Sequence, residues 1–241
     1  MDELINDINQ LFEIAKSLYI DQPDKGYRFS IDPFLLLSYI SPQKGEQVLD
    51  IGTGCGIMPL ILALKYPDIH ITAVEIQSQL AEIARQNINR NGFKDRIELI
   101  NRDIKEISIY NRALYNNTLY IDSKFDRIIS NPPYKKKGSG RLNPDSQKAV
   151  ARHEIMLTLD ELIFCVRRLL KADGILNLIY PAARLNELIK TMNRYEIEPV
   201  QVKHIFTGSK GINIVKKAQA KLALITAKKR NLTTILDTNM T

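Results

Sequence analysis

Apolar residues Leu4, Ile5, Ile8, Leu11, Phe12, Ala15, Leu18 and Tyr19 recur at helical spacing, so the chain opens with an amphipathic helix. Pro23 and Gly26 mark a turn. Pro33–Ile40 reads as a second helix, with Asp32 as its N-cap and Pro33 at its first position. From there short apolar runs alternate with helical periodicity. Val48–Ile51, His70–Val74, Ile97–Ile100, Phe125–Ser130 and Ile175–Tyr180 read as strands. Ile57–Lys65, Gln77–Asn91 and Ile155–Lys171 read as helices, the last two closed by Gly92 and Gly174. This alternation specifies an α/β architecture, a parallel sheet with helices on both faces. A further helix over Pro181–Tyr195 leads to two late strands, Val200–Phe206 and Leu222–Ala227, which would close one edge as a hairpin-like pair. Residues 108–123 and 135–152 break the rhythm and read as functional loops or disordered segments.

At 241 residues with 44% hydrophobic and 25% charged positions, the chain suits one globular domain with a sizeable core. No apolar run approaches the ~18–20 residues of a membrane-spanning helix. The acidic start, MDELINDINQ, lacks the basic and apolar regions of a secretion signal. Two distant cysteines, Cys55 and Cys165, disfavour a disulfide scaffold, and a reducing cytoplasm fits. Three scattered histidines give no reason to expect a metal site. Charge is unevenly divided: residues 1–130 carry −4 and residues 131–241 carry +11. A polyanion is the partner such a separation suggests.

Four motifs carry the chemistry. Asp50-Ile-Gly52-Thr53-Gly54-Cys-Gly56 joins the first strand of the sheet to a helix, where glycines let the backbone turn sharply and a ligand come close. The spacing differs from G-x-G-x-x-G, and the acid ahead of it suits a cationic ligand such as S-adenosylmethionine better than a pyrophosphate. Glu75, ending the second strand, can accept hydrogen bonds from both hydroxyls of a ribose. Asp103, after the third strand, can reach the amino group of a bound adenine. Asn131-Pro132-Pro133-Tyr134 follows the fourth strand. Consecutive prolines hold the backbone extended without N–H groups. The carbonyls and the Asn side-chain oxygen can then converge as acceptors beside a stacking aromatic, which is what a planar amino group needs.

Together VLDIGTGCGI, AVEI, Asp103 and NPPY resemble the class I S-adenosylmethionine-dependent methyltransferases that methylate amino groups. The stretches GYRFSIDPFLLLSYI (Gly26–Ile40), KKKGSGRLNPDSQKAVARHE (Lys135–Glu154) and FTGSKGINIVKKAQAKLALITAKK (Phe206–Lys229) resemble the bacterial tRNA-Val adenine N6-methyltransferases, which act at tRNA position 37. The resemblance implies a Rossmann-like, seven-stranded, mostly parallel sheet with one reversed strand. Residues 1–45 would form an N-terminal helical extension packed on the core, 46–230 the methyltransferase domain and 231–241 a loose tail. It implies S-adenosylmethionine as cofactor, contacted by Phe29, Ser30, Asp32, Asp50, Gly52, Thr53, Gly54, Gly56, Glu75, Ile76, Asp103, Ile104 and Asn131. For Phe29 and Asp32 a buried ring and a helix cap are the plainer reading. The catalytic set would be Asn131, Pro132, Pro133 and Tyr134. Lys135, Lys136, Lys137, Arg141, Lys148, Arg152 and His153 would contact the anticodon loop of tRNA, His153 by positioning rather than as a base. The expected protein is a cytoplasmic monomer without metal or membrane partner. Rival readings are a protein glutamine N5-methyltransferase, a DNA or rRNA adenine methylase, a nicotinamide oxidoreductase and a non-catalytic RNA-binding module.

Overall fold

The computed structural model describes residues 2–23, 29–109, 125–132, 157–208, 211–212 and 220–230. Helix α1 (Asp2–Lys16) turns Leu4, Ile8 and Leu11 inward at three- and four-residue spacing. Helix α2 (Asp32–Leu37) buries Pro33 through Leu37. Its N-cap is Ile31, not Asp32: the Asp32 N–H already donates to Ser30 Oγ at 3.2 Å, and Asp32 enters the first turn, where an acid suits the helix dipole. The helix also stops before Ile40, as the chain approaches Ser41-Pro42 and must leave the helical region.

The alternating core follows as β1 (Gln47–Ile51), α3 (Ile57–Lys65), β2 (His70–Val74), α4 (Ser78–Arg90), β3 (Ile97–Ile100), α5 (Ile104–Ile109) and β4 (Phe125–Ser130). Helix α5, six residues long, is too short for periodicity to announce. Then come α6 (Leu159–Leu169), β5 (Leu170–Pro181), α7 (Leu185–Arg194), β6 (Ile197–Ile205), the short strands β7 (Thr207–Gly208) and β8 (Gly211–Ile212), and β9 (Leu222–Lys229). Helix α6 is shorter than the expected span to Lys171. A capping box, Thr158 with Glu161, starts it, and Leu170 passes directly into β5 to pair with Phe125. Gly174 is therefore inside a strand and not a helix cap. A Cβ there would come within 2.8 Å of Leu170 Cδ1.

Seven strands form one sheet in the order β3-β2-β1-β4-β5-β9-β6. β1 to β5 run parallel, and β9 is antiparallel to both its neighbours. The late pair is antiparallel as read, but the later strand lies inside. Composition explains this order: β9 buries Ala223, Leu224, Ile225 and Ala227, whereas β6 exposes Val200 and tolerates the edge. Alternate strand residues feed two cores. Val48, Ile129, Ile179 and Leu224 pack with α1, α2 and α3 on one face; Leu49, Ile128, Leu178 and Ile225 pack with α6 and α7 on the other. No described helix is long and apolar enough to cross a membrane.

Candidate active site

Sheet register places the motifs. Ile100, Val74, Ile51 and Ser130 are consecutive partners across β3, β2, β1 and β4. The residues that follow them, Asn101, Glu75, Gly52 and Asn131, thus leave four adjacent strands in one row. Neighbouring strands lie ~4.8 Å apart, so the row from Glu75 to Asn131 spans about 10 Å, the scale of a nucleoside. The chain reverses its direction of winding between β1 and β4, and ligands of open α/β sheets sit at the carboxyl end of such a switch point. Ser130 Oγ donates to the Ile51 carbonyl at 2.9 Å and ties the two motif-bearing strands together.

The glycine loop is held by its neighbours' backbone. Gly52 and Thr53 N–H groups both donate to the Val74 carbonyl, at 2.9 and 3.0 Å. Gly52, at φ 77°, faces open space where a Cβ would stand, so a ligand can approach bare main chain there. Gly56, at φ 87°, is the N-cap of α3. The Gly54 N–H donates to Glu75 Oε2 at 2.8 Å and the Gln77 N–H to Glu75 Oε1 at 2.9 Å. Glu75 is 4% exposed, which excludes a merely solvated carboxylate. Each oxygen keeps a second lone pair for a hydroxyl donor. Burial raises the Glu75 carboxyl above its usual range, opposed by the N–H groups of Gln77, Gly54 and Ile76.

Asp50 is fully buried beside this carboxylate. Among the described residues neither of its oxygens, nor the buried Thr53 hydroxyl, has a hydrogen-bond partner. Burial pushes the Asp50 carboxyl up to about 7; the Thr53 hydroxyl alongside offsets part of this, short of a full hydrogen bond, and the Glu75 charge adds to it. Orphaned acceptors of this kind are costly unless something fills them. Two buried carboxylates, an orphaned hydroxyl and bare glycine backbone fit a ligand with a cationic end and a ribose, as S-adenosylmethionine has. The Cys55 thiol, pushed up to about 12 by burial, is inert packing.

Asp103 stands one strand beyond Glu75. Its Oδ1 accepts from the Lys105 N–H at 2.9 Å, and its Oδ2 lies 3.4 Å from Lys105 Nζ, which also reaches Glu161 Oε1 at 3.2 Å. Asp103 thus starts α5, and both its oxygens are engaged by Lys105. Ile104 is buried behind it and Ile76 is half-buried. Asn131 is half-buried and Pro132 buried at the end of β4. Phe29 packs edge-on against Phe34, at 6.1 Å between centroids. The Phe29 N–H donates to Gln22 Oε1 at 3.3 Å, and Ser30 caps Asp32. Pro133, Tyr134, Lys135, Lys136, Lys137, Arg141, Lys148, Arg152 and His153 lie outside the described residues. Sequence reasoning missed Asn101, whose Nδ2 donates to the Glu75 carbonyl at 2.7 Å. An asparagine directly after a buried strand was the available signal.

The methyltransferase small domain family matches residues 27–192. The chain belongs to this family. Its fold is that of the class I S-adenosylmethionine-dependent methyltransferases. Among curated relatives, a Porphyromonas gingivalis protein named tRNA1(Val) (adenine(37)-N6)-methyltransferase is 36% identical over 177 residues, 72% of this chain and 66% of that protein. A Bacteroides thetaiotaomicron protein of the same name is 33% identical over 181 residues, 75% of this chain and 70% of that one. The match thus spans about two thirds of the length of these relatives. A methyltransferase from Pyrococcus furiosus shares the fold at a TM-score of 0.58 and 23% identity, covering 93% of this chain and 98% of that one.

Proposed function

We propose that this chain transfers a methyl group from S-adenosylmethionine to the N6 of an adenine in tRNA, at position 37 of tRNA1(Val), in the cytoplasm. One observation carries the reading: the row that sets Asn131 and Pro132 beside the glycine loop and Glu75. Asp50 takes the ammonium end of the cofactor, Glu75 the ribose hydroxyls, and Asp103 the adenine amino group. When bound, the cofactor supplies an electrophilic methyl carbon on a sulfonium. The Asn131 side-chain oxygen and the Pro132 carbonyl accept the two N–H groups of the target amine. That leaves the nitrogen lone pair aimed along the line of displacement. Tyr134 stacks on the base, which must first leave the anticodon stack. As the N–C bond forms and the C–S bond breaks, the alkylated nitrogen becomes cationic. It sheds its proton without a strong base, which gives His153 a positioning role. The basic residues from Lys135 to Arg152 hold the flanking phosphates.

The reading is tested by nucleoside mass spectrometry of tRNA from a strain lacking the gene, alongside methyl transfer in vitro to tRNA1(Val) transcript. Loss of N6-methyladenosine, restored by the purified protein, is expected. Unchanged N6-methyladenosine with no transfer to the transcript overturns it, and transfer to a glutamine-bearing release factor instead would assign the rival substrate.

A further inference from the structure

Asn87 in helix α4 and Asn91, the residue that ends it as C-cap, stand one turn apart, and both bind the chain that precedes Phe29. Asn87 Oδ1 accepts from the Asp21 N–H at 2.8 Å, and its Nδ2 donates to the Asp21 carbonyl at 2.9 Å. Asn91 repeats the pattern on Tyr19, accepting at 2.9 Å and donating at 2.7 Å. A four-residue step along a helix rises about 6.0 Å, and a two-residue step of extended chain about 6.7 Å. The two carboxamides therefore match alternate residues of an extended segment and bind it as a neighbouring strand would. Arg90 strengthens the seam, pairing with Asp21 at 2.8 Å and lying 4.3 Å over the Tyr19 ring.

Asn87 does something Asn91 does not. Its Nδ2 also donates to the carbonyl of Cys55, at 3.0 Å. Cys55 sits in the glycine loop between Gly54, whose N–H holds Glu75, and Gly56, the cap of α3. The helical ladder of α3 begins one residue later, with the Leu60 N–H on the Gly56 carbonyl, so the Cys55 carbonyl has no helical donor. Asn87 is fully buried, and asparagine is a poor choice for a helix interior. A buried polar residue that defies local preference, with oxygen and both amide hydrogens engaged, marks a position held by its partners.

We propose that Asn87 is a positioning residue for cofactor binding, tying the glycine loop at Cys55 and the N-terminal segment at Asp21 to one face of α4 so that the loop keeps one conformation. The proposal rests on the reading that this loop holds S-adenosylmethionine, but its test needs no tRNA.

The measurement is calorimetric binding of S-adenosylhomocysteine to wild type, Asn87→Asp and Asn91→Leu at a temperature where circular dichroism shows all three folded. Asn87→Asp keeps the acceptor for Asp21 but loses both donors. It should weaken binding by ~10-fold or more, the scale of a buried carbonyl left unpaired. Asn91→Leu loses the Tyr19 contacts and a side-chain hydrogen bond to the Asn87 carbonyl at 2.8 Å, but no contact to the glycine loop, and should weaken binding by less than about threefold. Exchange of backbone amide hydrogens in the peptide spanning residues 50–58 should accelerate in the Asn87 variant and not in the Asn91 variant. Should Asn87→Asp fail to fold, Asn87→Ser takes its place. Equal losses in the two variants, or an Asn87 variant within threefold of wild type with unchanged exchange, overturn the proposal. If wild type itself does not bind S-adenosylhomocysteine, the cofactor reading falls, and the exchange comparison alone decides the role of Asn87.

Discussion

Asp50 and Glu75 share a small buried volume with no ion-pair partner among the described residues. That arrangement gives the ligand-free protein a definite pH dependence. Asp50 ionises near 3.8 in the unfolded chain and at about 7 in the folded one, chiefly through burial. Between those values the folded state keeps a proton that the unfolded state has lost, so stability falls as pH rises through the window and levels above it. The scale is roughly 4 kcal/mol for three pH units. Asp50→Asn mimics the protonated form. It should match wild type in urea titrations near pH 4 and exceed it in stability above pH 7. The same substitution should abolish a rise in S-adenosylmethionine affinity with pH, because only the ionised carboxylate attracts the ammonium. Asn131→Ala probes the other end of the row. Steady-state kinetics should show kcat falling by ~10²-fold or more, the cost of losing a positioned polar group at the reacting centre, with cofactor affinity little changed.

Among the elements, β4 shows how a strand end is kept in place. Arg127 is buried, with Nε 2.8 Å and Nη2 3.1 Å from the two Glu46 oxygens and Nη1 2.7 Å from Asn177 Oδ1. Asn177 passes the connection to Thr226 Oγ1 at 3.1 Å, so one network joins the loop before β1 to β4, β5 and β9. Arg127→Met leaves Glu46 and Asn177 without that partner and should cost about 3 kcal/mol by denaturant unfolding, since breaking a buried pair strands a charge. Cofactor affinity of the folded fraction should stay near wild type, because the network lies below the row of site residues. Elements of this kind divide by how far their signals reach. The strand–loop–helix repeat, the glycine loop, Glu75 and the start of the NPPY motif were legible because strand period and turn chemistry are local. The bounds of α6 were not among these: the Thr158–Glu161 capping box sets its start later than Ile155, and the pairing of Leu170 with Phe125 ends it before Gly174. The Asn87 seam was not legible either, because its partners are backbone groups 66 residues away that carry no side-chain signature. The place of β9 depended on comparing two strands' burial, which periodicity within each strand does not reveal.

Over the whole molecule, the −4 and +11 halves of the chain adjoin in the sheet where β4 pairs with β5, the acidic half carrying the glycine loop and Glu75 and the basic half beginning at Asn131. If Lys135, Lys136 and Lys137 neutralise phosphates, replacing all three by alanine should weaken tRNA binding. The slope of log K against log salt should flatten by roughly 0.7–0.9 per contact, with S-adenosylmethionine affinity unchanged. Filter-binding titrations at several salt concentrations check this, and parallel slopes would show a merely solvated face. The reversed strand has a consequence of another kind, in how the protein is made. Among the described strands β6 pairs only with β9, so it has no place in the sheet until the ribosome has delivered the chain beyond Ile205 through Lys229. At ~5–20 residues per second that wait lasts roughly one to five seconds. Meanwhile β5 presents an open edge of unpaired backbone groups over Ile175–Pro181, so the nascent chain is at its most adhesive before β9 arrives.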